Sequence, residues 1–370
     1  MKIGILTYNG TQDNYGQVLQ CYALQKYLRE LGHEPFLIRY NHLVDIKPTP
    51  LIRKIFNIFH PRKIYGWIIS LCSKNKSGGD NKTIDRKFDE FRKQYITSSE
   101  DFYPSYNSLK NNPPQADIYI VGSDQVWNFF SDTERRKRRL HAYFLDFGLE
   151  NVKRMSYAAS WGRTEISDND KNEIIPLLKR FSYVSVREES GLELCAKCGR
   201  NDAELVCAPT LLLSADDYRS LYLQIVNIKP STKYVLLYML KNECDFNIKT
   251  VYDFARKKNL EVIYITGNLA VADGYHIYYA TIPEWLYFID NAEYIITNSF
   301  HCGVFSTIFH KQFGIVPLTG SFKGMNARID SLFKLRGTGK RYIADSDFEV
   351  LDKEYNVNEV NFSERFLKEL

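Results

Sequence analysis

The segment YIITNSFHCGVFSTIFH, residues 294–310, holds the residues of this 370-residue chain that could most readily do chemistry. Its apolar start favours a buried strand, and Ser299 can cap the amphipathic helix that follows. Free N–H groups at a helix start bind anions, and His301 can carry a proton near neutral pH. The segment therefore predicts an anion site beside a proton donor. The alternative is purely structural, with Ser299 only capping and His301 only packing.

Other polar or aromatic residues follow further apolar runs. Asn14 lies in a loop that opens a helix, GSDQVWN supplies Asp124, Gln125 and Trp127, and SYAASWG supplies Trp161. Asp124 offers a carboxylate and Gln125 an amide. Both tryptophans offer a face on which a sugar can stack, although Trp127 suits a hydrophobic core equally well.

Three basic residues could bind an anion from other parts of the chain. VREESG at 186–191 places Arg187 at a strand exit and Glu188 in the first turn of a helix. The fork of Arg187 suits a planar carboxylate or a phosphate, and an ion pair between lobes is the alternative. Lys323 and Arg328 lie near two glycines and offer another anion contact, with simple solvation at the surface equally open.

Strand-like and helix-like runs alternate along the chain and must position these residues. The alternation predicts an α/β fold of two doubly wound, Rossmann-like domains with parallel sheets that face a cleft. In such sheets, ligands bind beyond the carboxyl ends of the strands. We expect domains at 1–208, with an insertion at 41–82, and at 209–340, followed by a helical tail at 341–370 that can pack back on the first domain. The predicted strands are 2–8, 34–40, 118–121, 154–157, 183–186, 234–238, 261–265, 294–297 and 313–315.

Composition narrows the function classes. Met1 and Lys2 lead into an apolar run that is too short for a secretion signal, so we expect a cytoplasmic protein. Seven cysteines without regular spacing fit reduced thiols. Cys195, Cys198 and Cys207 have no second pair or nearby histidine to complete a zinc set, so no metal is predicted.

The number and distribution of charged residues indicate which binding partners are expected. The net charge of +5 is mild and forms no continuous basic stripe, so nucleic acid is not an expected partner. Segment 47–82 mixes basic residues with aromatic and aliphatic ones, which suits peripheral contact with an anionic membrane at its inner face. A solvated insertion is the alternative. Apolar runs are far shorter than the roughly 20 residues that span a bilayer.

Seven motifs, taken in order, resemble the polysaccharide pyruvyl transferase family from about Ile3 to Leu335. They are NGTQDNYGQVLQCYALQ, GSDQVWN, SYAASWG, SVREESG, APTLLL, TNSFHCGVFSTIFHK and NARIDSLF. The resemblance implies a two-lobed fold similar to B-type glycosyltransferases. It also implies transfer of pyruvate from phosphoenolpyruvate to a sugar as a ketal during polysaccharide or exopolysaccharide synthesis, with phosphoenolpyruvate as co-substrate and no cofactor.

The resemblance and the chemistry of the residues together suggest residue roles. The family's motif positions for donor binding and catalysis map to Arg187 and His301. We expect His301 to act as the acid, with Asp124 or Glu188 as the assisting base. The other residues expected to contact the donor are Ser299, Phe300, Arg328 and Lys323. A glycan acceptor, which could be lipid-linked, is expected to contact Asn14, Gln125, Trp127 and Trp161.

The sequence departs from the family pattern at two positions and leaves two alternative functions open. Ala208 stands where the family commonly has the Asp of Asp-Pro-Thr, and Asn298 where an Asp often precedes Ser-Phe-His. A histidine-centred mechanism survives these changes better than a carboxylate-centred one. The alternative functions are a two-lobed glycosyltransferase that uses a nucleotide sugar and a non-catalytic two-lobed sugar-binding protein.

Overall fold

The computed structural model describes residues 1–8, 10–40, 85–128, 139–223, 230, 232–240, 244–267, 274–343, 347–360 and 363–370. The insertion 41–82, with its predicted membrane contact through 47–82, lies outside these ranges. Within them, no helix is long and apolar enough to cross a bilayer. The same ranges contain no group of three His, Cys, Asp or Glu side chains that could hold a metal ion.

The front lobe is built around a five-stranded parallel sheet with the strand order β3-β2-β1-β4-β5. Its elements are β1 (Lys2–Leu6), α1 (Tyr15–Glu30), β2 (Glu34–Tyr40), α2 (Phe88–Tyr95), β3 (Ser98–Tyr103), α3 (Tyr106–Asn111), β4 (Ile118–Val121), β5 (Lys153–Ser156), α4 (Asp168–Leu178), β6 (Ser185–Val186), α5 (Glu189–Lys197) and β7 (Glu204–Leu205). Strands β6 and β7 pair with each other, and the bridges Met155–Tyr183 and Ala159–Val186 join them to the β5 edge.

The rear lobe is built around a four-stranded parallel sheet with the order β11-β10-β8-β9. Its elements are α6 (Ala215–Arg219), β8 (Tyr234–Met239), α7 (Lys249–Lys257), β9 (Glu261–Thr266), α8 (Ile282–Asp290), β10 (Tyr294–Thr297), α9 (Phe300–Ile308), β11 (Gln312–Ile315), α10 (Ala327–Arg336) and α11 (Glu349–Asp352). Helix α12 (Glu364–Glu369) follows in the C-terminal tail. Two 3₁₀ helices, Pro209–Leu212 and Gly320–Asn326, precede α6 and α10. The prediction of two parallel α/β sheets is confirmed.

Helix α1 joins the two lobes. It begins after Asn14, whose side chain accepts a hydrogen bond from the Gln17 N–H, and it ends before Gly32, which has a left-handed φ of 82°. The α1 residue Tyr15 belongs to the same hydrophobic cluster as rear-lobe Trp285. Their rings stack at 5.0 Å, so the first turn of α1 is held against the rear lobe.

The C-terminal tail returns to the front lobe. Phe366 of α12 is fully buried, and its ring lies 4.7 Å from that of Tyr157 and 5.6 Å from that of Tyr183. Arg365 pairs with Asp202 at 2.7 Å. The tail therefore covers the side of the front lobe on which β6 and β7 extend the sheet.

Candidate functional site

His301 reaches the site from the first turn of α9. Strand β10 ends at Thr297, whose hydroxyl accepts a hydrogen bond from the Ser299 N–H at 3.0 Å. The Ser299 hydroxyl in turn accepts from the Cys302 N–H, which is the cap that the sequence predicts. His301 follows the cap by two positions and is 4% exposed. The strand and the cap thus fix a buried imidazole at a helix N-terminus, where backbone N–H groups favour an anion.

Gly16 of the front lobe lies directly against this imidazole. A Cβ atom at Gly16 would be 2.2 Å from His301 Cγ and 2.3 Å from His301 Nδ1, so only glycine allows this approach. The Nε2 atom of His301 is buried and has no hydrogen-bond partner among the residues that the structure describes. The sequence places Gly16 in the loop that opens α1, near Asn14, but does not indicate its contact with His301.

Burial is the main cause of an acidic shift at His301. Burial and the nearby Arg187 and Arg328 cations lower the pKa of His301 to about 3, although Asp124 opposes them. At neutral pH the imidazole is therefore neutral when no anion is bound. It can then accept a proton, and it can donate one only after a negative charge arrives beside it.

Arg187 leaves β6 and points into the same cluster. Its Nη1 donates to the Ser123 hydroxyl at 3.5 Å, and its Nη2 lies 3.7 Å from Asp124 Oδ1. Its Nε and Nη2 are buried without a hydrogen-bond partner among the described residues. The ion pair that the sequence left open is thus long and lies within the front lobe, not between lobes. One edge of the guanidinium fork keeps its donors unused.

Phe300 brings a second cation close to Arg187. The Phe300 ring lies 4.6 Å from Arg187 Cζ and 5.5 Å from Arg328 Cζ. Burial, and next Arg187, lower the pKa of Arg328 to about 10, so it stays charged at neutral pH. When the Gln125 amide is oriented to satisfy its neighbours, its oxygen accepts from both Nη atoms of Arg328 at 3.0 Å. Gln125 therefore positions Arg328.

Asp124 is a carboxylate in this cluster. Burial alone would raise its pKa, but Arg187, His301 and Arg328 outweigh burial and the net shift is downward. Its Oδ1 accepts from the Gln125 N–H at 2.8 Å, and its Oδ2 accepts from Gln17 Nε2 at 3.4 Å. Gln17 is a further site residue that the sequence did not predict. Its position in the first turn of α1, three residues after the cap Asn14, was the available signal.

Glu188 mainly holds a loop. Its Oε1 accepts hydrogen bonds from the Ser160 hydroxyl at 3.0 Å and from the N–H groups of Trp161 and Gly162 at 2.7 and 3.1 Å. Its Oε2 is buried without a partner among the described residues. Three donors on one oxygen fix the loop beside Arg187, and we treat Glu188 as a positioning residue.

Both predicted stacking tryptophans lie in the core instead. Trp127 is fully buried, stacks on Phe144 at 5.0 Å and donates its indole N–H to the Tyr143 carbonyl. Trp161 is 1% exposed and packs 5.2 Å from Trp127. The expected acceptor role of both rings needs this correction, because core side chains already occupy the space that a sugar would need.

Two other predicted residues lie outside the buried cluster. Asn14 is half-buried and caps α1, and Lys323 is exposed in the 3₁₀ helix that precedes α10. Of the two departures from the family pattern, Asn298 accepts from the Leu240 N–H at 2.8 Å, which ties the exits of β10 and β8 together. Ala208 is buried at the start of the first 3₁₀ helix. An amide oxygen at 298 therefore retains the acceptor that this contact requires.

Comparison with known proteins gives one sequence match and several structural ones. The family model described as polysaccharide pyruvyl transferase matches residues 14–317. None of the curated proteins compared with the chain matches it. The UDP-GlcNAc 2-epimerase of Methanocaldococcus jannaschii, solved in complex with UDP-GlcNAc and UDP, has a TM-score of 0.52 at 14% identity, over 100% of this chain and 99% of that one.

A second epimerase structure is less similar. The UDP-GlcNAc 2-epimerase of Neisseria meningitidis, bound to UDP-GlcNAc, has a TM-score of 0.48 at 10% identity, over 95% of this chain and 89% of that one. At such identities a likeness concerns the fold alone, and the M. jannaschii enzyme shows it over the whole chain. The glycosyltransferase-B-like architecture is therefore confirmed.

Proposed function

Since the chain belongs to the polysaccharide pyruvyl transferase family, we propose that phosphoenolpyruvate binds among Arg187, Arg328 and His301 and that its pyruvyl group passes to two hydroxyls of a glycan as a ketal. One observation supports this site above the others. Arg187 is buried, yet its Nε and Nη2 donors have no hydrogen-bond partner in the described part of the chain. A buried guanidinium with an unused edge is costly unless an anion binds there.

Phosphoenolpyruvate suits this cluster because it carries a carboxylate and a phosphate. The open edge of Arg187 can bind either group through two parallel hydrogen bonds, and the first turn of α9 can bind the other. Without a ligand, the charges of Arg187 and Arg328 are formally balanced by Asp124 and Glu188. An added anion therefore makes the cluster negative and raises the pKa of His301. Donor binding and protonation of His301 are coupled in this proposal.

The proposed reaction uses that proton. Protonated His301 donates to the methylene carbon of the enol, which becomes the methyl group and leaves a cationic centre at the adjacent carbon. One sugar hydroxyl attacks that centre and gives its proton to Asp124. A second hydroxyl then displaces phosphate, its proton leaves with the phosphate, and the ketal ring closes. General acid and base groups of this kind each contribute typically about 10² to 10⁴ in rate.

Calorimetry with the full chain tests the donor. Phosphoenolpyruvate should bind with uptake of a proton, seen as a binding enthalpy that depends on the ionisation enthalpy of the buffer. Nucleotide sugars serve as the competing donor class. Tight binding of a nucleotide sugar together with no binding of phosphoenolpyruvate would reject the proposal.

Transfer is tested with carboxyl-labelled phosphoenolpyruvate and an extract of lipid-linked glycans. We expect label in the glycan that mild acid releases as pyruvate, together with an equal amount of phosphate. Free pyruvate without labelled glycan would contradict ketal formation. A lipid-linked acceptor is proposed because segment 47–82 is basic and aromatic, and liposome flotation with and without that segment tests the membrane contact.

A further inference from the structure

Arg86 is a second buried arginine that leaves hydrogen-bond donors unused among the described residues. It is 3% exposed, and among the described residues no ion pair to a carboxylate is found for it. Its Nη1 donates to the Tyr15 hydroxyl at 3.3 Å, and its Cζ lies 5.0 Å from the Tyr279 ring. Its Nε and Nη2 are buried without a hydrogen-bond partner in the described part of the chain. Arg86 thus leaves the same two nitrogens unused as Arg187 does.

Among the described residues, two more donors without a partner belong to side chains whose rings contact Tyr15. Tyr15 stacks on Trp285 at 5.0 Å and meets the edge of Tyr238 at 5.7 Å. The Tyr238 hydroxyl and the Trp285 indole N–H are both buried without a hydrogen-bond partner among the described residues. The Tyr238 ring also lies 5.5 Å from that of Trp285, so both side chains and Tyr15 form one aromatic cluster beside Arg86.

The hydrogen bonds of the acidic side chains near Tyr15 go to groups other than Arg86. Asp13 accepts from the Thr11 hydroxyl at 2.7 Å. Glu284 accepts from the Thr281 N–H and hydroxyl at 2.7 and 2.9 Å, and from the Tyr278 hydroxyl at 3.2 Å. A buried, unpaired cation surrounded by neutral hydrogen-bond donors is an arrangement that an oxyanion would complete.

We propose that Arg86, Tyr238 and Trp285 form a second anion subsite that binds a phosphate group of the acceptor. Phosphate fits better than carboxylate because the fork of Arg86 occupies two oxygens and the other two donors call for further ones. The first turn of α1 separates this subsite from the donor site, since Tyr15 faces Arg86 while the adjacent Gly16 faces His301. The inference rests on the proposed function in one respect, namely that the phosphate bound here belongs to the glycan acceptor.

Pyrophosphate binding to the full chain, measured by calorimetry in saturating phosphoenolpyruvate, tests the subsite. The wild type should bind one further equivalent of pyrophosphate. Arg86→Met should weaken that binding at least about 30-fold, as expected for loss of a buried charge partner, and should leave the affinity for phosphoenolpyruvate unchanged. Arg187→Met should weaken the binding of phosphoenolpyruvate and leave the affinity for pyrophosphate unchanged. Arg256→Met, which changes an arginine whose side chain is 79% exposed, is the matched control and should alter neither.

Arg86→Lys keeps the proposal testable if the methionine variant does not fold. Lysine retains the charge without the fork, so pyrophosphate should bind more weakly than to the wild type but more tightly than to a neutral variant. The subsite is rejected if the wild type binds no further equivalent, or if folded Arg86 variants bind pyrophosphate as the wild type does. If the proposed donor site alone is wrong, phosphoenolpyruvate will not respond to Arg187→Met, while pyrophosphate will still respond to Arg86→Met.

Two further probes identify the source of the phosphate. Uridine diphosphate represents an acceptor sugar carried on a nucleotide, and farnesyl diphosphate represents one carried on a lipid. Tighter binding of one of them than of pyrophosphate, with the gain lost in Arg86→Met, assigns the carrier. Equal affinity of all three probes assigns recognition to the diphosphate alone.

Discussion

Replacing Gly16 by alanine should disable the site while barely changing the composition of the chain. The new Cβ would lie 2.2 Å from His301 Cγ and 2.3 Å from both His301 Cβ and Nδ1. Carbon atoms in favourable contact are about 3.5 to 4.0 Å apart, so the two groups must separate by more than about 1 Å. Rotating the imidazole does not relieve the clash, because His301 Cβ itself is too close. Helix α1 or helix α9 must therefore shift.

The expected magnitudes differ for stability and for activity. Overpacking of this kind costs about 1 to 3 kcal/mol, and alanine returns up to about 1 kcal/mol through its better helix propensity. The net loss of stability should be about 1 kcal/mol. A displacement of about 1 Å between catalytic groups can cost about 100-fold in rate. We therefore expect kcat to fall about 100-fold in a protein that remains folded.

The assay is steady-state transfer of labelled pyruvate, read together with thermal unfolding. Gly10→Ala is the matched control, because a Cβ there would meet no atom within 4 Å and the residue is exposed. It should retain wild-type kcat and stability. A Gly16→Ala protein with wild-type kcat would refute the inference that the imidazole must lie against this glycine for catalysis.

Three further predictions concern charged or titratable residues of the site. Arg187→Lys should raise the Kd for phosphoenolpyruvate at least about 10-fold in calorimetry, because an ammonium cannot replace both open donors of the fork, and an unchanged Kd would place the donor elsewhere. The pKa of His301 is lowered from 6.5 to about 3 on folding, so the unfolded chain binds more protons between those values and stability falls as the pH drops below 6.5. His301→Gln removes this pH-dependent contribution to stability. Between pH 7 and pH 5.5, the unfolding free energy from urea titrations should therefore fall by about 1 kcal/mol more in the wild type than in the variant. Equal losses would contradict a buried neutral imidazole. Glu188→Ala should leave the Ser160 hydroxyl and the Trp161 and Gly162 N–H groups without their acceptor and lower the unfolding free energy by about 1 to 3 kcal/mol, whereas a stable variant would contradict the positioning role.

The fold could be predicted from local patterns wherever a strand contains a run of apolar residues. Strands β1, β2, β4, β5, β6, β8, β9, β10 and β11 lie where the sequence predicts them, to within about two residues at each end. Strand β3 was missed because it lies at the sheet edge and reads SSEDFY, with few buried side chains. Its pairing with β2 makes this segment a strand, which its composition does not indicate.

The site likewise has features that follow from the sequence and features that do not. The cap at Ser299, the exit of Arg187 from a strand and the presence of His301 at a helix start follow from residue types a few positions apart, which is the range over which backbone geometry acts. The sequence did not determine which way Trp127 faces, because an aromatic residue after a strand can pack inward or outward. Contact with Phe144 decided that it faces the core.

The sequence by itself therefore determined the parallel α/β architecture, the family and the residues able to bind an anion and move a proton. Only the tertiary structure brought Gly16 against His301 and left Arg187 and Arg86 buried with open donors, since these depend on contacts between the two lobes and across hundreds of residues. Spacing along the chain fixes local geometry, whereas burial, and with it the pKa of His301, is fixed by segments that are distant in sequence and meet only when the lobes pack.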